Sequence, residues 1–93
     1  MKYRKKTVVI EAVQWQGKYS HPPEWPDWFR DAMRSGILHN DEQNPKVLLV
    51  NTIKGSLTAQ PDDWIIQGVK GELYPCKPDI FAATYESVYE IYN

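Results

Sequence analysis

The segment QPDDWIIQGVKGELYPCKPDIFAATY, from Gln60 to Tyr85, decides how this chain is read. Turn signals alternate in it with short apolar runs, and it holds the single cysteine. Pro61-Asp62-Asp63 marks a turn: proline presets φ for the first corner of a type I turn, and aspartate accepts from nearby backbone N–H groups. Trp64-Ile65-Ile66, ended by Gly68, reads as a strand buried on both faces or lying at a barrel seam. Gly68-Val69-Lys70-Gly71 is a second turn, with a glycine at each end to supply positive φ. Glu72-Leu73-Tyr74 is the returning strand. Pro75 and Pro78 bracket Cys76 and Lys77, and proline cannot donate to a ladder, so the strand stops there or runs along an edge. Pro78 suits a first helical turn and Asp79 its positive end, so Pro78 to Thr84 reads as one or two helical turns that pack Phe81 inward.

Upstream of this segment, Thr7 to Gln16 is the strongest strand. It is β-branched and carries apolar residues on both parities, Val9, Val13 and Trp15 on one and Val8, Ile10 and Ala12 on the other. That pattern places it centrally or in a closed sheet. Glu11 breaks the pattern, and on a buried face it would need a cationic partner. The basic arm Lys2, Arg4, Lys5 and Lys6 reads as a solvated strand entry in preference to a phosphate anchor. Lys18 to Pro23 is a loop. Glu24 to Ser35 is the clear helix: Trp25, Trp28, Phe29, Ala32 and Met33 fall on one stripe, and Gly36 stops it. That stripe is read as core packing against a sheet. Ile37-Leu38-His39 is a short strand, Asn40 to Pro45 a polar loop, and Lys46 to Ile53 a second strand. A tight hairpin at Lys54-Gly55 leads into Ser56 to Ala59. Tyr85 to Tyr92 closes the chain as an alternating strand.

The 93 residues are read as one domain of α+β class. The expected architecture is a curved, mainly antiparallel sheet of five or six strands, or a small SH3-like barrel, covered by one amphipathic helix. Aromatic residues make up 13% of the chain, which supplies apolar area that its length would otherwise lack. The net charge of −1 gives no electrostatic case for a nucleic-acid or membrane partner. A lone cysteine forms no internal disulfide, and no stretch is long and apolar enough to span a bilayer, so the chain is expected to work in the cytoplasm.

Two blocks of sequence carry a resemblance. KYRKKTVVIEAVQW, from Lys2 to Trp15, and DWIIQGVKGELYPCKPDIF, from Asp63 to Phe81, together resemble a family of small uncharacterised bacteriophage and prophage proteins. The middle of the chain, from Gly17 to about Asn51, lies outside the resemblance. The family tends to have proline where Thr7 stands, glycine where Asp62 stands and proline where Ser87 stands. Aspartate at 62 favours a turn that does not require glycine. The resemblance implies phage origin and action inside a bacterial cell, and it brings no activity with it.

No motif specifies an activity. His21, His39 and Cys76 have no metal-ligand spacing, no catalytic context surrounds Cys76, and no cofactor is implied. The candidate binding surface is the polar cluster from Lys70 to Asp79. Lys70, Glu72, Tyr74 and Cys76 would line one strand face, with Lys77 beside them and Trp64 at the edge. The competing structural reading is cross-strand ion pairing on a solvated face. Three functions compete. The first is a non-catalytic binding module acting on a host protein, the second a sequesterer of a nucleotide-like ligand stacked near Trp64, Lys70 and Tyr74, and the third an enzyme. A terminal strand left as an unpaired edge is also a route to a homodimer.

Overall fold

The computed structural model describes residues 1–4, 7–17 and 24–88. Among these residues, six strands and two helices follow in the order β1 (Glu11–Gln14), α1 (Asp27–Ser35), β2 (Leu38–Asn40), β3 (Leu48–Thr52), β4 (Gly55–Ala59), β5 (Trp64–Gln67), β6 (Leu73–Cys76) and α2 (Pro78–Thr84). All pairing is antiparallel, within two three-stranded sheets ordered β1-β5-β6 and β2-β3-β4. The α+β class is as the sequence indicates. The strands divide between two sheets, however, and neither closes, so no barrel forms among the described residues.

The β5–β6 hairpin organises the first sheet. Gly71 N–H donates to Gly68 O at 2.9 Å and Gly68 N–H to Glu72 O at 2.8 Å, closing a three-residue loop whose last member, Gly71, has φ 83°. This is a β-turn followed by a left-handed residue, a geometry that favours glycine. It sets the register Trp64↔Cys76, Ile65↔Pro75, Ile66↔Tyr74 and Gln67↔Leu73. Ile65 and Ile66 are both fully buried, as expected of a central strand covered on two sides. β6 runs through Pro75 because it is an edge strand, where the missing N–H removes no ladder bond.

β1 departs from expectation. Pairing covers only Glu11 to Gln14, extended by Trp15 N–H donating to Asp63 O at 2.8 Å, and the strand lies at the edge of its sheet, not at its centre. The reason lies in its partner: β5 ends at Gln67, opposite Glu11, so among the described residues no strand lies beside residues 7–10. Val8 and Val9 are therefore 48% and 72% exposed. Glu11 is also exposed and needs no buried partner.

α1 starts later than the apolar stripe does. Pro26, at ψ 160°, is its N-cap, and its carbonyl accepts from Phe29 and Arg30 N–H at 3.0 and 3.2 Å. The proline ring biases Trp25 away from helical backbone, which blocks a start at Glu24. Gly36, φ 86°, ends the helix in left-handed geometry. Phe29 is fully buried, Ala32 is 5% and Trp25 8% exposed, and they pack with Trp15, Leu38, Leu48, Val50, Ala59 and Ile65. The stripe thus forms the core between the two sheets. Trp15 ties them together, its Nε1–H donating to Lys46 O at 2.8 Å, just ahead of β3.

Other boundaries shift by small amounts. The β3–β4 register pairs Thr52 with Gly55, which puts the hairpin turn at Ile53-Lys54, one residue earlier than read from sequence. Thr52 Oγ1 fixes it by donating to Gly55 O at 2.7 Å and accepting from Lys54 N–H at 3.1 Å. The expected closing strand does not begin at Tyr85: residues 85–88 are not in a strand, and the rest of that stretch lies outside the described residues. The expected loop from Lys18 to Pro23, with His21, also lies outside them, as do Lys5 and Lys6 of the basic arm. Among the described residues, no helix is long and apolar enough to cross a membrane.

Candidate functional site

Opposed residues in an antiparallel ladder project to the same side. By that rule Ala12, Gln14, Trp64, Ile66, Tyr74 and Cys76 share one face of the first sheet, the face turned away from the core residue Ile65. α2 lies over it. Pro78 opens that helix, and Tyr85 N–H closes it by donating to Phe81 O at 2.9 Å. This places Phe81 flat on Trp64, ring centroids 4.1 Å apart and planes 7° from parallel, while Phe81 meets Tyr85 at 5.1 Å. The four-residue step from Phe81 to Tyr85 is a helical neighbour spacing, so one turn of backbone delivers both rings.

Tyr74 reaches the same cluster from β6. Burial, then a hydrogen bond with the Tyr85 hydroxyl, push its phenol up to about 12. Cys76 is half-buried and free, with its thiol donating to Lys77 O at 3.6 Å. Burial raises its pKa, and the Asp63 and Asp79 carboxylates add to the effect, so the thiolate is disfavoured.

Of the six surface residues proposed from sequence, Trp64, Glu72, Tyr74 and Cys76 share this face, Glu72 lying over Gly68, and Lys70 and Lys77 do not join them. The strand parity that would align Lys70 with Tyr74 breaks at Gly71, where the chain turns through positive φ. Lys70 is exposed in the loop, and Glu72 Oε2 accepts its backbone N–H at 3.0 Å, so Glu72 braces the loop. Lys77 follows Cys76 and reaches the opposite side, where Nζ meets Asp63 Oδ2 at 2.9 Å.

Asp63 is the functional-looking residue that the sequence reading passed over. It is the one buried charged residue among those described, 3% exposed, and its Oδ2 also accepts from Gln60 N–H at 2.8 Å. It locks the turn Gln60–Asp63, closed by Asp63 N–H donating to Gln60 O at 3.0 Å. That turn corrects the type I expectation. Asp62, its third residue, has φ 77°, which is the type II arrangement and a position that favours glycine.

Beside the aromatic face runs a cleft of about 750 Å³. Thr7 to Ala12 form one wall and Tyr85 to Val88 the other, with Trp64, Phe81 and Ala82 between them. Its surface is mostly aliphatic and aromatic, and the charged side chains that line it among the described residues, Glu11 and Glu86, are both acidic. The sequence signal for this cleft was the second apolar parity of Thr7 to Gln16, read there as a sign of burial. No group of three metal-ligating side chains occurs among the described residues. Comparison of the chain with protein-family models, curated proteins and solved structures gives no match.

Proposed function

We propose that this protein is a non-catalytic binding module whose working surface is the cleft between the N-terminal approach to β1 and α2. The observation that carries the reading is the cleft itself. Its size falls in the range of ligand sites, and it sets exposed Val8 and Val9 against Trp64, Phe81 and Tyr85. With Glu11 and Glu86 as its charged lining among the described residues, the ligand it suits is an apolar segment carrying a cation, such as a Lys- or Arg-flanked stretch of a partner protein. The resemblance to bacteriophage and prophage proteins supports a partner from the bacterial host cell.

A nucleotide-like ligand draws less support from this geometry. The Trp64 face that would stack on a base already carries Phe81. Lys70 sits at the far end of the β5–β6 hairpin, beyond Gln67 and so about 10 Å or more along the strand from Trp64.

Site-specific photo-crosslinking tests the reading. A photoreactive residue at Ala82, in the cleft, should capture a discrete bacterial protein from host lysate, and the same residue at the exposed hairpin position Ile53 should not. Replacing Val9 by aspartate should abolish the capture. Identical products from both positions, or none from Ala82, would overturn the assignment.

A further inference from the structure

We propose that one end of the molecule docks on an anionic lipid bilayer through the tips of the β3–β4 and β5–β6 hairpins. This rests on the two loops and not on what occupies the cleft.

The loops are built alike. Thr52-Ile53-Lys54-Gly55 and Gly68-Val69-Lys70-Gly71 each place a β-branched aliphatic residue and then a lysine ahead of a glycine. The glycines take up the positive φ, 117° at Gly55 and 83° at Gly71, so the turns place no demand on the two residues before them. Turn chemistry favours asparagine, aspartate or serine at such positions. Here Ile53 is fully exposed and Val69 mostly so, and each holds apolar area in water that the turn does not require.

Both tips lie at the same end. Asn51 N–H donates to Ile37 O at 2.8 Å, and β3 turns at Ile53, just past this rung. Ile37 and Gly71 in turn line one shallow hollow of about 320 Å³. Ile37, itself exposed, therefore sits between the loops, and the end presents Ile37, Ile53 and Val69 together with the ammonium groups of Lys54 and Lys70. Neither ammonium pairs with a carboxylate among the described residues, whereas the acids nearby are engaged. Asp31 meets Arg34 at 3.5 Å, and Glu72 Oε2 accepts the Lys70 N–H at 3.0 Å. The net charge of −1 is no obstacle, because at about 0.1 M salt each charge reaches only about 10 Å.

The repetition identifies the partner. A protein surface differs from one spot to the next. Two separate loops that present the same pair, an aliphatic group to bury and an ammonium beside it, suit a surface that is uniform. At a bilayer the acyl boundary takes the aliphatic groups and the anionic headgroups take the lysines. Such docking is peripheral and needs no membrane-crossing helix.

Flotation with lipid vesicles tests the proposal. The chain should float with mixed phosphatidylglycerol and phosphatidylcholine vesicles and not with phosphatidylcholine alone, and about 0.5 M salt should release it. Lys54→Glu and Lys70→Glu should each lower the partition coefficient about fivefold or more. Ile53→Asp should lower it about tenfold or more, by removing an aliphatic group and adding a like charge. Lys46→Glu changes the net charge as much as Lys54→Glu does, but Lys46 precedes the opposite end of β3, so it should leave partitioning unchanged. Circular dichroism of each variant should match wild type, because all four side chains are exposed. No flotation at about 10 mM lipid, where even a millimolar Kd is visible, would overturn the proposal. So would equal flotation with both vesicle types, equal losses from Lys46→Glu and Lys54→Glu, or indifference to Ile53→Asp.

Discussion

Replacing Asp63 by alanine should destabilise the protein by about 2–3 kcal/mol, more than its surface-loop appearance in the sequence suggests. The carboxylate is almost wholly buried and receives two donors, Gln60 N–H at 2.8 Å and Lys77 Nζ at 2.9 Å. The backbone bond involves a charged acceptor and closes a turn, which gives it a net worth of about 1.5–2 kcal/mol. The Lys77 side chain is 56% exposed, so solvent screens its share to about 0.2–1 kcal/mol. Lys77→Ala removes that smaller share but leaves a buried carboxylate one donor short, and should cost about 1 kcal/mol. The double variant should then show a coupling of about 0.5–1 kcal/mol. Urea unfolding followed by tryptophan fluorescence reads all three, and at a slope of about 1 kcal/mol per molar the Asp63→Ala midpoint should fall by about 2 M. An Asp63→Ala chain within about 0.5 kcal/mol of wild type would refute the view that this residue anchors the turn.

Asp62→Gly should raise stability by about 0.5–1 kcal/mol, and Asp62→Ala should lower it, because the residue holds φ 77°; thermal melts of the two variants give the comparison. Tyr74 should titrate at about 12 in an alkaline absorbance titration, and Tyr85→Phe should bring it down by removing the hydrogen bond. The raised value means that the fold favours the neutral phenol. Its stabilising contribution is therefore complete below the ordinary value of 10.0 and is lost as pH rises toward 12, which alkaline unfolding measurements can follow. Phe81→Ala should cost about 1–2 kcal/mol of half-buried ring contact and shift the emission of Trp64 to the red. That shift should vanish in a Trp64→Phe background.

Local patterns in the sequence were legible wherever one periodicity governed the outcome. The stripe Trp25, Phe29, Ala32 reads as a buried helix face because side chains repeat with the helical turn, and it forms the core. Ile65-Ile66 reads as a doubly covered strand, and it is one. What failed needed a second element to settle it. Thr7 to Ile10 has the composition of a central strand, but the length of β5 decides how much of it pairs, and that length is fixed by the loop at Gly68 to Gly71. Lys70 departs from the candidate surface for a related reason. Counting every second residue assumes an unbroken strand, and the left-handed turn at Gly71 takes Lys70 out of phase with Glu72 and Tyr74. The pairing of Asp63 with Lys77 is hidden until the hairpin register sets Trp64 opposite Cys76, after which the two charges fall at the next rung.

The two sheets differ in how far apart their partners lie along the chain. β2, β3 and β4 meet through near neighbours, and β5 and β6 through a three-residue loop, so each can assemble at small loop-closure cost. β1 must wait for β5, because Glu11 meets Gln67 only after nearly everything between them has been threaded and folded. Contacts so distant in sequence form late in folding, and a short edge strand is also among the first to fray in the native state. The amides of Ala12 and Val13 should accordingly exchange with solvent sooner than that of Ile66, which bonds to β6, and this makes the amino-terminal strand a latch on a body already built.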